Sequence, residues 1–237
     1  MSLEINKLLK NKQYDEALQA VSTTVLDDIR QRRLHKDLVI QWRAPERAKQ
    51  LMPKEVAYQD EAIQRFMDKN RGNESLIKAL AHHKLGLVYE NMAQGWLGIS
   101  TARLEEATRE YDKALSLFPD FACALFRKGA ILSAQKKLEE ALKNFVQAGE
   151  ADPKFCEAFF FQGITYKILN NFDKALESYK KTVALDPDNA AAHNNMGLIH
   201  IYKKEYDLAE KEFEEVLRIF PNHPTGTKNL NAAKSMK

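Results

Sequence analysis

Six histidines and two cysteines are the residues of this chain best suited to chemistry, and their spacing decides what they can do. His82 and His83 are adjacent. On a helix, neighbouring side chains point about 100° apart, so the pair makes a poor chelate. His193 and His200 lie seven residues apart, which puts them on one helical face. Phe159 and Tyr166 hold the same two positions 34 residues earlier, so the two histidines are expected to be buried, hydrogen-bonded packing residues rather than metal ligands. Cys123 and Cys156 begin neighbouring stretches at nearly equivalent places. They are expected to be small buried thiols, with a redox or metal pair as the alternative. No phosphate loop, HExxH, paired CxxC or nucleophile elbow occurs. The expectation is a non-enzymatic chain with no cofactor and no metal.

Composition bounds the partners. The 237 residues are 29% charged with a mean hydropathy of −0.50, and no apolar run approaches the roughly 20 residues that span a bilayer. Direct membrane insertion is not expected. The first residues, MSLEINKLLKNKQYDEAL, are amphipathic and mixed in charge, unlike a secretory leader, so a cytoplasmic location is expected. A net charge of +3 and a pI of about 8.7 are too mild for a nucleic-acid partner. One local cluster stands out: eight Lys or Arg between Arg30 and Lys54 against Asp37 and Glu46. It reads as a solvated face, or as a footprint for an acidic partner.

What would position any of these residues is a repeat. Gly129, Gly163 and Gly197 are spaced by 34, as are Ala141, Ala175 and Ala209. An aromatic follows each alanine by four (Phe145, Tyr179, Phe213), and Pro153, Pro187 and Pro221 close the units. Self-similarity at this period marks a stacked array. Within 156–189, Phe159, Gly163 and Tyr166 share one helical face, and Ala175, Tyr179 and Thr182 share another. Asn170 and Asn171 break the chain between the two helices. Glycine and alanine at facing positions let the backbones approach, and the aromatics fill the gaps beside them.

The fold class is therefore all-α: an α-solenoid of stacked antiparallel helix pairs with an irregular helical N-terminal segment. Residues 1–73 form that segment, with a degenerate repeat over 1–30, split into two helices at Asn11–Gln13, and a non-repeat insertion over 31–73. The insertion carries an apolar patch from Leu38 to Trp42, a break near Ala44, and a helix from about Pro53 to Asn70 with a stripe of Val56, Ile63, Phe66 and Met67. Repeats occupy 74–223 (79–121, 122–155, 156–189 and 190–223). In the first, Gly86 and Ala107 are 21 apart instead of 12, which lengthens the turn around Gln94–Gly98 and sets Trp96 and Leu97 at a loop tip or folded back on their helices. Residues 224–237 are expected to form a capping helix.

The pattern of Gly, Tyr, Ala, aromatic, Ala and Pro resembles the tetratricopeptide repeat family. The resemblance rests on Gly129, Ala141, Phe145, Ala148 and Pro153; Gly163, Tyr166, Ala175, Tyr179 and Pro187; and Gly197, Ala209, Phe213 and Pro221. It is strong over 79–223, weak over 1–30 and absent over 31–73. Leu132 and His200 replace the usual tyrosine, and Thr182 and Val216 the usual alanine. The resemblance implies a right-handed superhelix, a concave groove lined by each unit's first helix, and protein recognition without catalysis.

If one stripe of each first helix packs on its own second helix, the opposite stripe faces that groove. The candidate binding residues on it are Leu87, Phe126, Arg127, Ala130, Phe160, Phe161, Ile164, Ile168, Asn194, Asn195, Leu198, Ile201 and Tyr202. Chaperone-tail recognition, which the family achieves with Lys, Asn and Arg at five groove positions, is disfavoured. Those positions hold His83, Leu87, Arg127, Glu157 and Phe161, or one unit later Phe126, Ala130, Phe161, Ala191 and Asn195. The expected function is a protein-interaction scaffold or adaptor that binds an apolar-anchored peptide or helix. The alternative is a self-assembling repeat protein, a homo-oligomer, whose own N-terminal segment fills the groove. A co-chaperone or an enzyme's regulatory subunit ranks below both.

Overall fold

Tight turns set the hairpins. Four of them, between α-helices at 10–14, 134–138, 168–172 and 202–206, close on a non-glycine residue with positive φ: Lys12 at 61°, Lys136 at 62°, Asn170 at 58° and Lys204 at 61°. At the Asn170 turn, the Asn171 N–H donates to the Tyr166 carbonyl at 2.8 Å and the Asn170 N–H to that of Lys167 at 3.0 Å. This is the paired closure that ends a helix and reverses the chain. Lys137 to Leu132 and Glu205 to His200 repeat the first of these bonds at 2.9 and 2.8 Å.

The computed structural model describes residues 2–31, 52–73, 75–95 and 98–237. The apolar patch at Leu38–Trp42, the break near Ala44, most of the Arg30–Lys54 cluster, Trp96 and Leu97 lie outside the described residues, as do the side chains of Val56 and Asn91. The chain divides into two compact units, 1–155 and 156–237.

The first unit holds α1 (Ser2–Lys10), α2 (Tyr14–Gln31), α3 (Met52–Lys69), α4 (Ser75–Ala93), α5 (Thr101–Leu117), α6 (Ala122–Ala134) and α7 (Leu138–Ala151). Helices α4 and α5 form one hairpin and α6 and α7 the next, with α5 against α6 and α2 against α4. The lengthened turn is a short antiparallel ribbon, β1 (Gln94–Gly95) and β2 (Gly98–Ile99), with Gln94 opposite Ile99. Helix α3 packs on α6. Its Phe66 ring stacks on Phe121 at 4.0 Å and stands edge-on to Phe118 at 5.2 Å. Arg65 forks onto Asp152 at 2.8 and 3.0 Å, and Lys69 pairs with Asp120.

The second unit holds α8 (Cys156–Ile168), α9 (Phe172–Leu185), α10 (Ala190–Tyr202), α11 (Tyr206–Ile219) and α12 (Gly226–Ser235). Its core joins Ala175, Leu176 and Tyr179 of α9 to Ala192, Met196 and Ile199 of α10. The close approach that the repeat requires is visible at Gly163, where an added Cβ would stand 2.7 Å from the Tyr179 ring. Asn189 caps α10, its side chain accepting from the Ala192 N–H at 3.0 Å. Ala233 and Leu230 of α12 cover the apolar edge at Ala209 and Phe213.

Candidate protein-interaction surface

In the first unit, the stripe opposite each packing face is filled. Leu80, His83, Lys84, Leu87 and Glu90 of α4 are all buried, and so are Cys123, Phe126 and Arg127 of α6. Leu87, Phe126 and Arg127, expected on a free groove, are therefore interior residues of the folded chain, while Ala130 is half-buried. The Phe126 ring lies against Phe145 at 5.7 Å and Phe155 at 5.2 Å. Arg127 Nη1 stands 3.6 Å from Glu90 Oε2, and the Tyr111 hydroxyl donates to the other oxygen of the same carboxylate. Burial drives the Glu90 carboxyl above its ordinary value, against the opposing pull of Arg127 and Tyr111. His83, enclosed between the rings of Tyr111 and Phe121, is held neutral by burial and by the charge of Arg127, with its pKa lowered to about 3.

A second buried carboxylate ties α2 to the repeats. Glu110 accepts from the Tyr14 hydroxyl at 2.8 Å and from Lys113 Nζ at 2.8 Å, and pairs with His82 Nδ1 at 2.8 Å. Burial works to raise its pKa, but these three hydrogen bonds outweigh it and hold the carboxyl below its ordinary range. The two adjacent histidines thus serve different polar clusters, as their divergent directions on the helix require.

In the second unit, the corresponding stripe is open. Ile168 is 51% exposed, Leu198 41% and Tyr202 70%, and Phe160, Phe161, Ile164, Asn194, Asn195 and Ile201 are half-buried. Phe160 and Ile164 rest on the α9–α10 core with their outer edges free, and Phe160 meets Phe161 edge-on at 5.8 Å. Tyr202 leans on Phe172 at 4.4 Å. Polar ties fix the neighbouring first helices: Lys167 Nζ donates to Asn195 Oδ1 between α8 and α10, and Asn229 donates to Asn194 Oδ1 at 3.0 Å between α12 and α10. His193 pairs with Glu212 at 2.7 Å and buried His200 with Glu205 at 2.6 Å, each holding a first helix to its own hairpin. The hydrogen bond to Glu212 raises the His193 pKa above its ordinary value.

Two residues of this surface escaped the candidate set. Periodicity assigns Tyr179 to the scaffold and says nothing of its hydroxyl; it places Lys167 on the groove-facing stripe without marking it out from its neighbours. The signal lay in comparing repeats: Lys167 stands where the first unit has Glu90, and Asn195 where it has Arg127. Both cysteines are buried and neither is in a disulfide. Among the described residues, no group of His, Cys, Asp or Glu is arranged to hold a metal, and no helix is long and apolar enough to cross a membrane.

Antiparallel hairpins stacked within each unit, with the second unit's first helices presenting an apolar face, define an α-solenoid repeat protein. Part of the second unit matches tetratricopeptide repeats: the TPR repeat model matches residues 163–203 and the tetratricopeptide repeat model residues 190–223. Similar solved structures belong to the same architecture. YrrB, a TPR protein with an unusual peptide-binding site, is 21% identical with a TM-score of 0.58 over 73% of this chain and 82% of its own. A tetratricopeptide repeat protein from Parabacteroides merdae is 16% identical, with a TM-score of 0.56 over 92% of this chain and 73% of its own. MamA is 21% identical with a TM-score of 0.54, covering 68% and 86%. At these identities the likeness concerns the fold. No curated protein matches the chain significantly in sequence.

Proposed function

We propose that the protein is a non-enzymatic interaction scaffold, an adaptor of the cytoplasm, whose second unit binds an apolar-anchored peptide or helix of a partner. The observation that carries this reading is the exposure of Ile168, Leu198 and Tyr202 beside half-buried Phe160, Phe161 and Ile164. Clustered apolar side chains left facing water mark interaction sites. Helical anchors spaced in this way suit an extended or helical ligand laid across parallel first helices. The peptide-binding site of YrrB supports the reading by analogy of fold, and two cysteines outside any disulfide suit a reducing compartment.

The test places a photo-crosslinking residue at Leu198 and, as a control, at Glu214 on α11, and identifies what is captured. Purified partner should then bind the wild-type protein in calorimetry and lose binding to the Phe160→Ala/Tyr202→Ala double variant. Equal affinity for that variant, with helicity unchanged by circular dichroism, refutes the surface.

A second reading, self-assembly through the N-terminal segment, draws on the docking of α3, whose Phe66 and Arg65 fit Phe121 and Asp152 of the same chain. An exchanged α3 would use the same contacts between two copies. Light scattering should then show a mass that rises with concentration, and Phe66→Asp should abolish the rise. A constant monomer mass refutes this reading.

A further inference from the structure

Tyr111 and Tyr179 occupy one repeat position in two different electrostatic settings. Each ring lies across the glycine of its own hairpin: an added Cβ would stand 2.5 Å from Tyr111 at Gly86 and 2.7 Å from Tyr179 at Gly163. The Tyr111 hydroxyl reaches the turn of its first helix four residues beyond the glycine, and the Tyr179 ring crosses its own first helix at the same glycine position. In the first unit that turn carries Glu90, which accepts from Tyr111 while Arg127 of the next first helix stands 3.6 Å away. Donor, carboxylate and cation are all supplied by the chain.

In the second unit the same turn carries Lys167, and the Arg127 position carries Asn195, hydrogen-bonded to the lysine. Tyr179 is wholly buried, and its hydroxyl has no hydrogen-bond partner among the described residues. Donor and cation are present without the carboxylate that completes the first unit's set. Burial also pulls the Lys167 ammonium below its ordinary pKa and pushes the Tyr179 phenol up. The lysine is half-buried and the tyrosine wholly buried. Phe160, Phe161, Ile164 and Leu198 stand on the same two first helices, α8 and α10.

We propose that a carboxylate of the bound segment supplies the missing member, pairing with Lys167 and accepting from the Tyr179 hydroxyl once the lysine's flexible stem swings aside. Apolar residues flanking that carboxylate rest on Phe160, Phe161, Ile164 and Leu198. The inference rests on the second unit being the binding surface and adds the chemistry of its ligand. The carboxylate belongs either to an acidic side chain or to a chain terminus.

The probes are three fluorescein-labelled octapeptide mixtures, randomised among Leu, Ile, Phe and Tyr around a fixed centre. One has central Glu and an amidated end, one central Gln and an amidated end, and one central Gln and a free C-terminal carboxylate. Fluorescence anisotropy against the full-length protein should show the Glu mixture binding at least ten-fold more tightly than the amidated Gln mixture. An equal preference for the free-terminus mixture instead assigns the carboxylate to a chain end and equally supports the inference. Lys167→Met and the near-isosteric Tyr179→Phe should each bring the ratio near one. Equal binding of all three mixtures overturns the carboxylate and leaves the apolar surface standing. Binding by none overturns both.

Discussion

The two tyrosines make opposite predictions from one substitution. Tyr111→Phe deletes the hydroxyl that donates to Glu90, a carboxylate 7% exposed whose remaining partner is Arg127 at 3.6 Å. A hydrogen bond to a charged group contributes about 1.5–3 kcal/mol, and its loss leaves a buried oxygen unsatisfied. Tyr179→Phe deletes a hydroxyl buried without a partner, a burial that costs about 1–3 kcal/mol in proteins. The first variant should therefore melt lower and the second higher. For chains of this size 1 kcal/mol moves Tm by about 2–4 °C, so shifts of several degrees in opposite directions are expected. Calorimetry on the two purified variants measures both, and hydrogen exchange resolved by peptide assigns each change to its own unit. If both variants melt lower by similar amounts, Tyr179 has a partner in solution and the reasoning about its hydroxyl is refuted. A neutral Tyr111→Phe would equally sink the account of the Glu90 cluster.

Three further outcomes follow from the packing and the ionisation. Gly163→Ala sets a Cβ 2.7 Å from the buried Tyr179 ring; overpacking of about 1–3 kcal/mol should outweigh the roughly 1 kcal/mol that alanine gains in a helix, lowering the urea midpoint. Phe66→Ala removes the ring stacked between Phe118 and Phe121 and should cost about 3–5 kcal/mol, releasing α3 to limited proteolysis while the second unit stays protected. The two units should also respond oppositely to acid. His83, with its pKa lowered to about 3, leaves the unfolded chain binding more protons below about pH 6.5, so the first unit weakens as pH falls through that window. His193 has its pKa raised, so its contribution is fully present below about pH 6.5 and is lost as pH rises through the raised value. Exchange protection of α4 and α6 should therefore fall between pH 7 and 5 while that of α10 and α11 rises. Parallel trends would contradict the assignment.

Hairpin architecture was legible because it is local. The spacing of glycine, alanine and aromatic located the helix pairs α6–α7, α8–α9 and α10–α11, and Asn11–Gln13 marked the turn between α1 and α2. A helical stripe, however, reports which residues share a face and not what lies on that face. Leu87, Phe126 and Arg127 have the same periodicity as Ile168, Leu198 and Tyr202, yet the first three are buried and the last three exposed. Phe126 is covered by Phe145 and Phe155, and Arg127 meets Glu90 of the preceding first helix, contacts that the stripe itself does not report. Tyr14 bonding to Glu110 across 96 residues is of the same kind. The ribbon at Gln94–Ile99 was legible only as extra length, since two-residue strands carry no periodicity. Lys167 and Tyr179 became informative only when one repeat was laid over another and a carboxylate was found to have no counterpart.

The turns at Lys12, Lys136, Asn170 and Lys204 all close in the left-handed region without glycine. An L-residue there sacrifices about 1–2 kcal/mol that glycine would not. The four sites lie in separate hairpins and share no partner, so replacements by glycine should add nearly independently. The chain thus holds a reserve of stability, one site in each of these four hairpins, left undrawn. An engineer could release it turn by turn, setting the rigidity of individual repeats without altering any residue that a ligand would touch.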